Sequence, residues 1–157
     1  LYSEKPLYFK GFYKYTSGHP FIETQKNDNG FPQYEFLETD AVDECGIQAV
    51  LYKVDSETET LDGTNIDSED ERIVARARLE DGTAKDRRVA VAQLADGSAK
   101  ADWESFKIPF QNLEGKKYEA GKDYQIAIVC SSSKDGANFN GAANSTLIVD
   151  ELEIIGE

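Results

Sequence analysis

The sequence predicts an all-β fold, a sandwich of about eight antiparallel strands. Three observations carry that prediction. Apolar and polar residues alternate over several short runs, the period of a half-buried strand. Eight tyrosines and eight phenylalanines weight the composition toward side chains that pack on a pleated surface. Turn dipeptides (Asn29-Gly30, Asp62-Gly63, Asp81-Gly82, Asp96-Gly97) separate the runs, and no stretch holds a helical period. At 157 residues the chain fits one domain with a core of its own.

Residues 1–7 are expected to be a linker from a missing N-terminal portion, with residues 8–157 forming a single β-sandwich domain. Tyr8 to Tyr15 is the first strand, with Phe9, Tyr13 and Tyr15 on one face and Lys10 and Lys14 on the other. Gly11 interrupts it and marks a bulge or a close backbone approach. Thr16 to Gln33 is polar and rich in breakers, a long loop with room for a short hairpin at Asn29-Gly30. Gly46 to Val54 is almost continuously apolar, a central strand covered on both faces. Residues 55–71 are mainly acidic or hydroxylic.

Ile73 to Leu79 alternates, placing Ile73, Ala75, Ala77 and Leu79 inward and Arg76 and Arg78 outward. Arg88 to Leu94 favours a strand over a helical turn. Trp103 to Phe110 sets Phe106, Ile108 and Phe110 on one face, and Pro109 marks an edge or a strand end. Tyr124 to Cys130 and Thr146 to Ile155 complete the set. Between them runs a crossing loop rich in glycine, serine and asparagine.

A formal charge of −13 argues against nucleic acid and against an anionic membrane surface. A neutral polar partner such as a glycan or oligosaccharide meets no electrostatic penalty, and a cation is favoured by the abundant carboxylates. No apolar run approaches the ~20 residues of a membrane span, so no membrane insertion of this fragment is expected. The chain opens on Leu1 and contains no methionine. It is therefore expected to be a piece of a longer polypeptide. Cys45 and Cys130 are either a disulfide of an exported protein or two separate buried thiols. No CxxC or Cys/His cluster exists, which argues against zinc.

Four stretches together resemble one family. They are Gly11-Phe-Tyr-Lys-Tyr15, Asp43-Glu-Cys-Gly-Ile-Gln-Ala-Val-Leu-Tyr52, Trp103-Glu-Ser-Phe-Lys-Ile-Pro-Phe110, and the run from Ser131 to Asp150. In order and spacing they are similar to the putative carbohydrate metabolism domain of surface or periplasmic proteins in gut Bacteroidetes. The resemblance implies a jelly-roll sandwich of the galactose-binding-like kind, C-terminal to a neighbouring N-terminal domain. It also implies an exported protein, periplasmic or associated with the outer-membrane surface. One departure is visible: Ala143-Asn144 precedes Ser145 where a glycine is expected beside the serine.

Aromatic faces accept the C–H face of a sugar while flanking polar groups bond its hydroxyls. Tyr13, Tyr15, Phe21, Phe31 and Tyr34 bracket the long loop and are candidates for such a platform; the alternative for Tyr13 and Tyr15 is ordinary strand packing. Ser132, Asn138, Phe139 and Asn140 of the crossing loop, with Ser131 and Ser133 beside them, are candidates for bonding and stacking a glycan. Their alternative is a loop that satisfies its own backbone. Trp103 is expected in the core, because of its place in an alternating strand.

Asp62 to Asp67 and Asp135 to Asn138 carry oxygen donors suited to calcium, though neither matches an EF-hand loop. The expectation is no cofactor, with a structural calcium as the alternative. Asp150 is expected to cap a turn or pair with a cation. Glu35, Glu38, Asp43 and Glu104 are carboxylates a glycoside hydrolase reading would draw on. The sole histidine, His19, reads as an exposed loop residue, and no nucleophile elbow exists. The chain therefore reads as a non-catalytic carbohydrate-binding module. The alternatives are a hydrolase with paired carboxylates and a structural surface module.

Overall fold

Alternation decides the first strand. In β1 (Pro6–Thr16), Phe9, Tyr13 and Tyr15 are buried while Tyr8, Phe12 and Thr16 are exposed, the mark of a strand with one wet face. The computed structural model describes residues 1–28, 30, 33–54, 61, 71–79 and 100–157. In it β1 lies between β6 (Lys100–Pro109) and β10 (Thr146–Gly156), antiparallel to both. A second sheet faces this one and runs in the order β7 (Gln111–Asn112), β5 (Ile73–Arg78), β4 (Gly46–Lys53), β8 (Tyr124–Ser131). A third, smaller sheet pairs β3 (Tyr34–Thr39), β2 (Phe21–Lys26) and β9 (Gly141–Ala142).

The core lies between the first two sheets. Phe9, Tyr13, Tyr15, Phe106 and Ile108 from one meet Ile47, Ala49, Ala77 and Leu79 at the other. Phe9 and Tyr13 both set their rings edge-on to Phe106, with centroids 5.1 and 6.1 Å apart. Removing each such side chain from water stabilises by roughly 1.5–3 kcal/mol. As the apolar run predicts, β4 is covered on both sides. Its outer residues Val50 and Tyr52 form a further cluster with Ile73, sheltered by Val54, Leu61 and Leu113.

Within residues 1–7, Tyr2 bridges Tyr124, and Lys5 exchanges two backbone bonds with Glu157. Several expectations need correction. Ile73 faces outward rather than inward, because the β4–β5 register shifts between Leu51 and Tyr52 and turns the end of the strand over. Within the polar stretch after Thr16, Phe21–Lys26 forms a strand, β2, that pairs with β3 just beyond it, from Phe21–Thr39 to Lys26–Tyr34. Trp103 is not in the core. It lies on the outer face of the first sheet and is 46 % exposed. Arg88 to Leu94 lies outside the described residues.

Gly11 meets both halves of its expectation. The β1–β10 register shifts between Lys10 and Phe12, and the extra residue on β10 includes Glu151 at φ 50°. A Cβ on Gly11 would come within 2.7 Å of Leu152 and 3.1 Å of the Asp150 carbonyl. Asp150 caps this bulge, its Oδ1 accepting the Glu151 N–H at 2.8 Å. The two cysteines are not joined in a disulfide; Cys45 is buried, whereas Cys130 is exposed at the edge strand β8.

Candidate functional site

At one end of the sandwich the crossing loop from Ser131 to Ser145 meets the β2–β3 hairpin. The root of that loop is held by Asp43, a carboxyl group only 2 % exposed. Its Oδ2 accepts from the Ser133 hydroxyl at 2.6 Å, the Ser145 hydroxyl at 2.6 Å and the Ala142 N–H at 3.0 Å. Its Oδ1 accepts the Glu44 N–H at 2.9 Å. Four donors on one buried acceptor is the arrangement a carboxylate requires away from water. Gly18 passes close by, its N–H donating to the Ser145 hydroxyl at 2.9 Å. Tyr15 reaches the same root from the core and donates to the Ser132 carbonyl at 2.8 Å. Burial pushes the Tyr15 hydroxyl up to about 12, against the Ser145 hydrogen bond, which lowers it; the Asp43 charge adds to the rise.

The tip of the loop is built differently. A single 3-10 turn, Gly136–Asn138, ends at Phe139, which holds a left-handed φ of 60°. Asp135 ties the turn together by accepting from the side-chain amides of Asn138 and Asn140. The Asn140 side-chain oxygen Oδ1 in turn accepts the Thr24 N–H at 2.7 Å, and the Thr24 hydroxyl donates to the Phe139 backbone carbonyl at 2.8 Å. Thr24 stands opposite Phe36 on the hairpin, and Tyr34 follows on the same side by the period of two. Three aromatic residues of the hairpin and the loop are wet: Phe139 is 72 % exposed, Phe36 65 % and Tyr34 45 %. A monomer rarely leaves such a group uncovered without a use for it.

The sequence candidates divide cleanly against this geometry. Asn138, Phe139 and Asn140 lie in the loop tip, where Phe139 and Asn140 bond Thr24 of the hairpin, and Tyr34 stands on β3 opposite Lys26. Tyr13 and Tyr15 are at neither place: both are core side chains, buried against the second sheet, and offer no face to a ligand. Ser132 sits at the root, where its carbonyl serves Tyr15, and Ser131 and Ser133 bond within the loop or to Asp43. Phe21 is half-buried in β2. Phe31 lies outside the described residues.

The carboxylates named for hydrolysis do not converge. Glu35 and Glu38 occupy opposite faces of β3, and Asp43 is committed to the loop root. A separate cleft of about 350 Å³ opens at the other end of β4, lined by Lys53, Glu71, Lys116, Lys117 and Glu119. There the Lys53 ammonium lies 3.4 Å from Glu119, and Lys116 donates to the Glu71 carbonyl at 2.6 Å. Among the described residues no group of three or more histidine, cysteine or acidic side chains is arranged to hold a metal ion. The Asp62–Asp67 stretch lies outside them. His19 is exposed in its loop.

Comparison with known proteins places these features in a family. The sequence profile described as "Putative carbohydrate metabolism domain" matches residues 1–155. This chain belongs to that family. Two solved structures resemble the domain along 99 % of its length. One is a putative glycoside hydrolase from Bacteroides thetaiotaomicron, 32 % identical with a TM-score of 0.72. The other is a putative glycoside hydrolase from Bacteroides vulgatus, 28 % identical with a TM-score of 0.70. The chain spans 39 % of the first and 54 % of the second. Comparison with curated proteins returned no match.

Within the carbohydrate metabolism domain, the departure at Ala143-Asn144 has a local explanation. Asn144 adopts φ 67°, the left-handed conformation that glycine would supply and asparagine tolerates. Phe36 is the member of the aromatic group that sequence reading missed. The alternation Tyr34-Glu35-Phe36 was available as a signal, but nothing local says that this hairpin projects beyond the sandwich and leaves both rings uncovered. Asp43 carried no signal of its own among thirty acidic residues.

Proposed function

We propose that this domain is a non-catalytic carbohydrate-binding module of an exported bacterial protein, taking a glycan at the tip formed by the hairpin and the crossing loop. The supporting observation is the exposure of Tyr34 and Phe36 on the hairpin and of Phe139 on the loop bonded to it at Thr24, a loop tied together by Asp135, Asn138 and Asn140. Stiff aromatic side chains on a pre-formed turn lose little entropy when a ligand arrives. Sugar rings stack on them, while the Asn138 amide, exposed beside Phe139, is placed to bond hydroxyls. The same contacts give modest affinity for a neutral oligosaccharide that changes little with salt. Family membership supports a carbohydrate partner, and the two Bacteroides relatives support an extracellular or periplasmic setting.

A glycan array on the domain tests this reading. Binding to at least one neutral oligosaccharide is expected, with Phe36→Ala and Phe139→Ala each weakening it by about tenfold. Undiminished binding in both variants overturns the platform.

One observation favours a hydrolase as a second reading: Glu71 and Glu119 line one cleft, and the two relatives are described as putative glycoside hydrolases. A retaining or inverting mechanism needs two carboxyl groups facing each other across such a space. Release of reducing sugar from bacterial or plant polysaccharides, abolished in Glu119→Gln, supports that reading. Equal release by the wild type and the variant ends it.

A further inference from the structure

The outer face of the β10–β1–β6 sheet is not used by the tip. Along β1 its residues alternate ring and cation: Tyr8, Lys10, Phe12, Lys14. Trp103 on β6 and Ile148 on β10 flank Phe12 and Lys14, and both are about half exposed. The Lys14 ammonium stands 5.3 Å from the centre of the Trp103 ring, and that of Lys107 stands 4.3 Å from the Tyr8 ring. Lys10 is paired with Glu153 at 2.7 Å, and Asp150 is turned to the bulge at Glu151. Lys14 and Lys107 are therefore the cations this face presents over its aromatic rings, on a chain whose net charge is −13. The tip offers the opposite balance, with Asp135 at its base and Glu38 next to Phe36 on the same face of β3.

Three kinds of partner fit a wet aromatic sheet, and charge spacing separates them. The core of a protein interface is depleted in lysine, whereas here lysine alternates with every ring. A nucleic-acid strand carries a phosphate about every 3.4 Å and calls for densely packed cations. Lys107 stands opposite Lys10 on the neighbouring strand, so it is offset from Lys14 by four residues along the sheet, ~13 Å. Sparse cations between flat rings match a polymer with flat apolar units and widely spaced anionic groups.

We propose that this face is a second glycan surface, specific for an acidic polysaccharide. Sugar rings lie on Phe12 and Trp103, and uronate carboxylates sit against Lys14 and Lys107. The site shares no residue with the hairpin tip, so either can fail while the other stands.

Trp103 is the only tryptophan in the chain, and its emission reports directly on this face. The domain is titrated in EDTA with polygalacturonate, with uncharged hydroxyethyl cellulose and with single-stranded poly(dT). Polygalacturonate is expected to shift or quench Trp103 emission, and the other two polymers to leave it unchanged. Raising sodium chloride from about 20 to about 200 mM is expected to weaken the response at least threefold, because exposed charges are screened. The double variant Lys14→Glu, Lys107→Glu is expected to lose it. Phe12→Ala is expected to weaken binding about tenfold by affinity electrophoresis, and Phe36→Ala to leave it intact. Thermal melting of each variant confirms folding, since all of these side chains face solvent. No response to polygalacturonate, an equal response to the neutral polymer or to poly(dT), or full binding by the Lys14, Lys107 variant overturns the proposal.

Discussion

The root and the tip of the crossing loop are made of the same residue types and do opposite work. At the root, Ser133, Ser145 and the Ala142 N–H all converge on Asp43. At the tip, Asp135, Asn138 and Asn140 bond one another and leave Phe139 standing in water. Serine and asparagine in a loop are thus no sign of recognition by themselves. What separates the two ends is burial. A buried donor must find a partner inside the protein, because leaving it unmade costs about 1–3 kcal/mol. A side chain at a wet tip meets no such demand.

The sharpest way to break this contrast is Asp43→Ala. It strands two hydroxyls and two backbone N–H groups at a buried site, and a loss of about 3 kcal/mol or more is expected by urea denaturation. A loss below about 1 kcal/mol would mean that water already serves the root. Gly18→Ala comes next. A Cβ there would lie 1.9 Å from the Ala143 carbonyl oxygen, so backbone must move, and a cost of about 2 kcal/mol is expected.

Tyr15→Phe removes the bond to the Ser132 carbonyl and the interaction with the Ser145 hydroxyl, with an expected cost of about 1 kcal/mol. It also changes the pH dependence. The native Tyr15 hydroxyl is raised to about 12 from 10.0, so between those values the folded state holds a proton that the unfolded state has released. Stability from this group is complete below pH 10 and falls as pH rises toward 12. The alkaline limb of the stability curve should be shallower in Tyr15→Phe. An unchanged limb would show that the hydroxyl titrates normally.

The smallest effect on stability is expected at the tip. Phe36→Ala and Phe139→Ala should each stay within about 0.5 kcal/mol of the wild type, since both rings are already in water. A larger cost in either would show that its ring is packed rather than presented.

Much of the scaffold was legible in the sequence. The alternation of Phe9, Tyr13 and Tyr15 marked the inner face of β1, and the unbroken apolar run marked β4 as central. Gly11 marked a bulge, and Asp150 turned out to cap it. Errors fell where the outcome depended on a remote segment. Trp103 is a different case: it stands three residues before Phe106, so the period of two already put it on the opposite face, and it is 46 % exposed there. Ile73 was assigned to the wrong side because a register shift between two strands cannot be read from one of them. Tyr13 and Tyr15 looked equally suited to a rim or a core, and only the second sheet closes over them.

Taken by itself, the sequence determined which segments are strands and which residues share a face, because a period of two is set by backbone geometry between near neighbours. The tertiary structure alone decided which faces meet water. That outcome rests on contacts such as Asp43 with Ser145, 102 residues apart. No local pattern records a pairing of that kind, since it depends on the closure of the loop between its members and on what the opposite sheet leaves exposed.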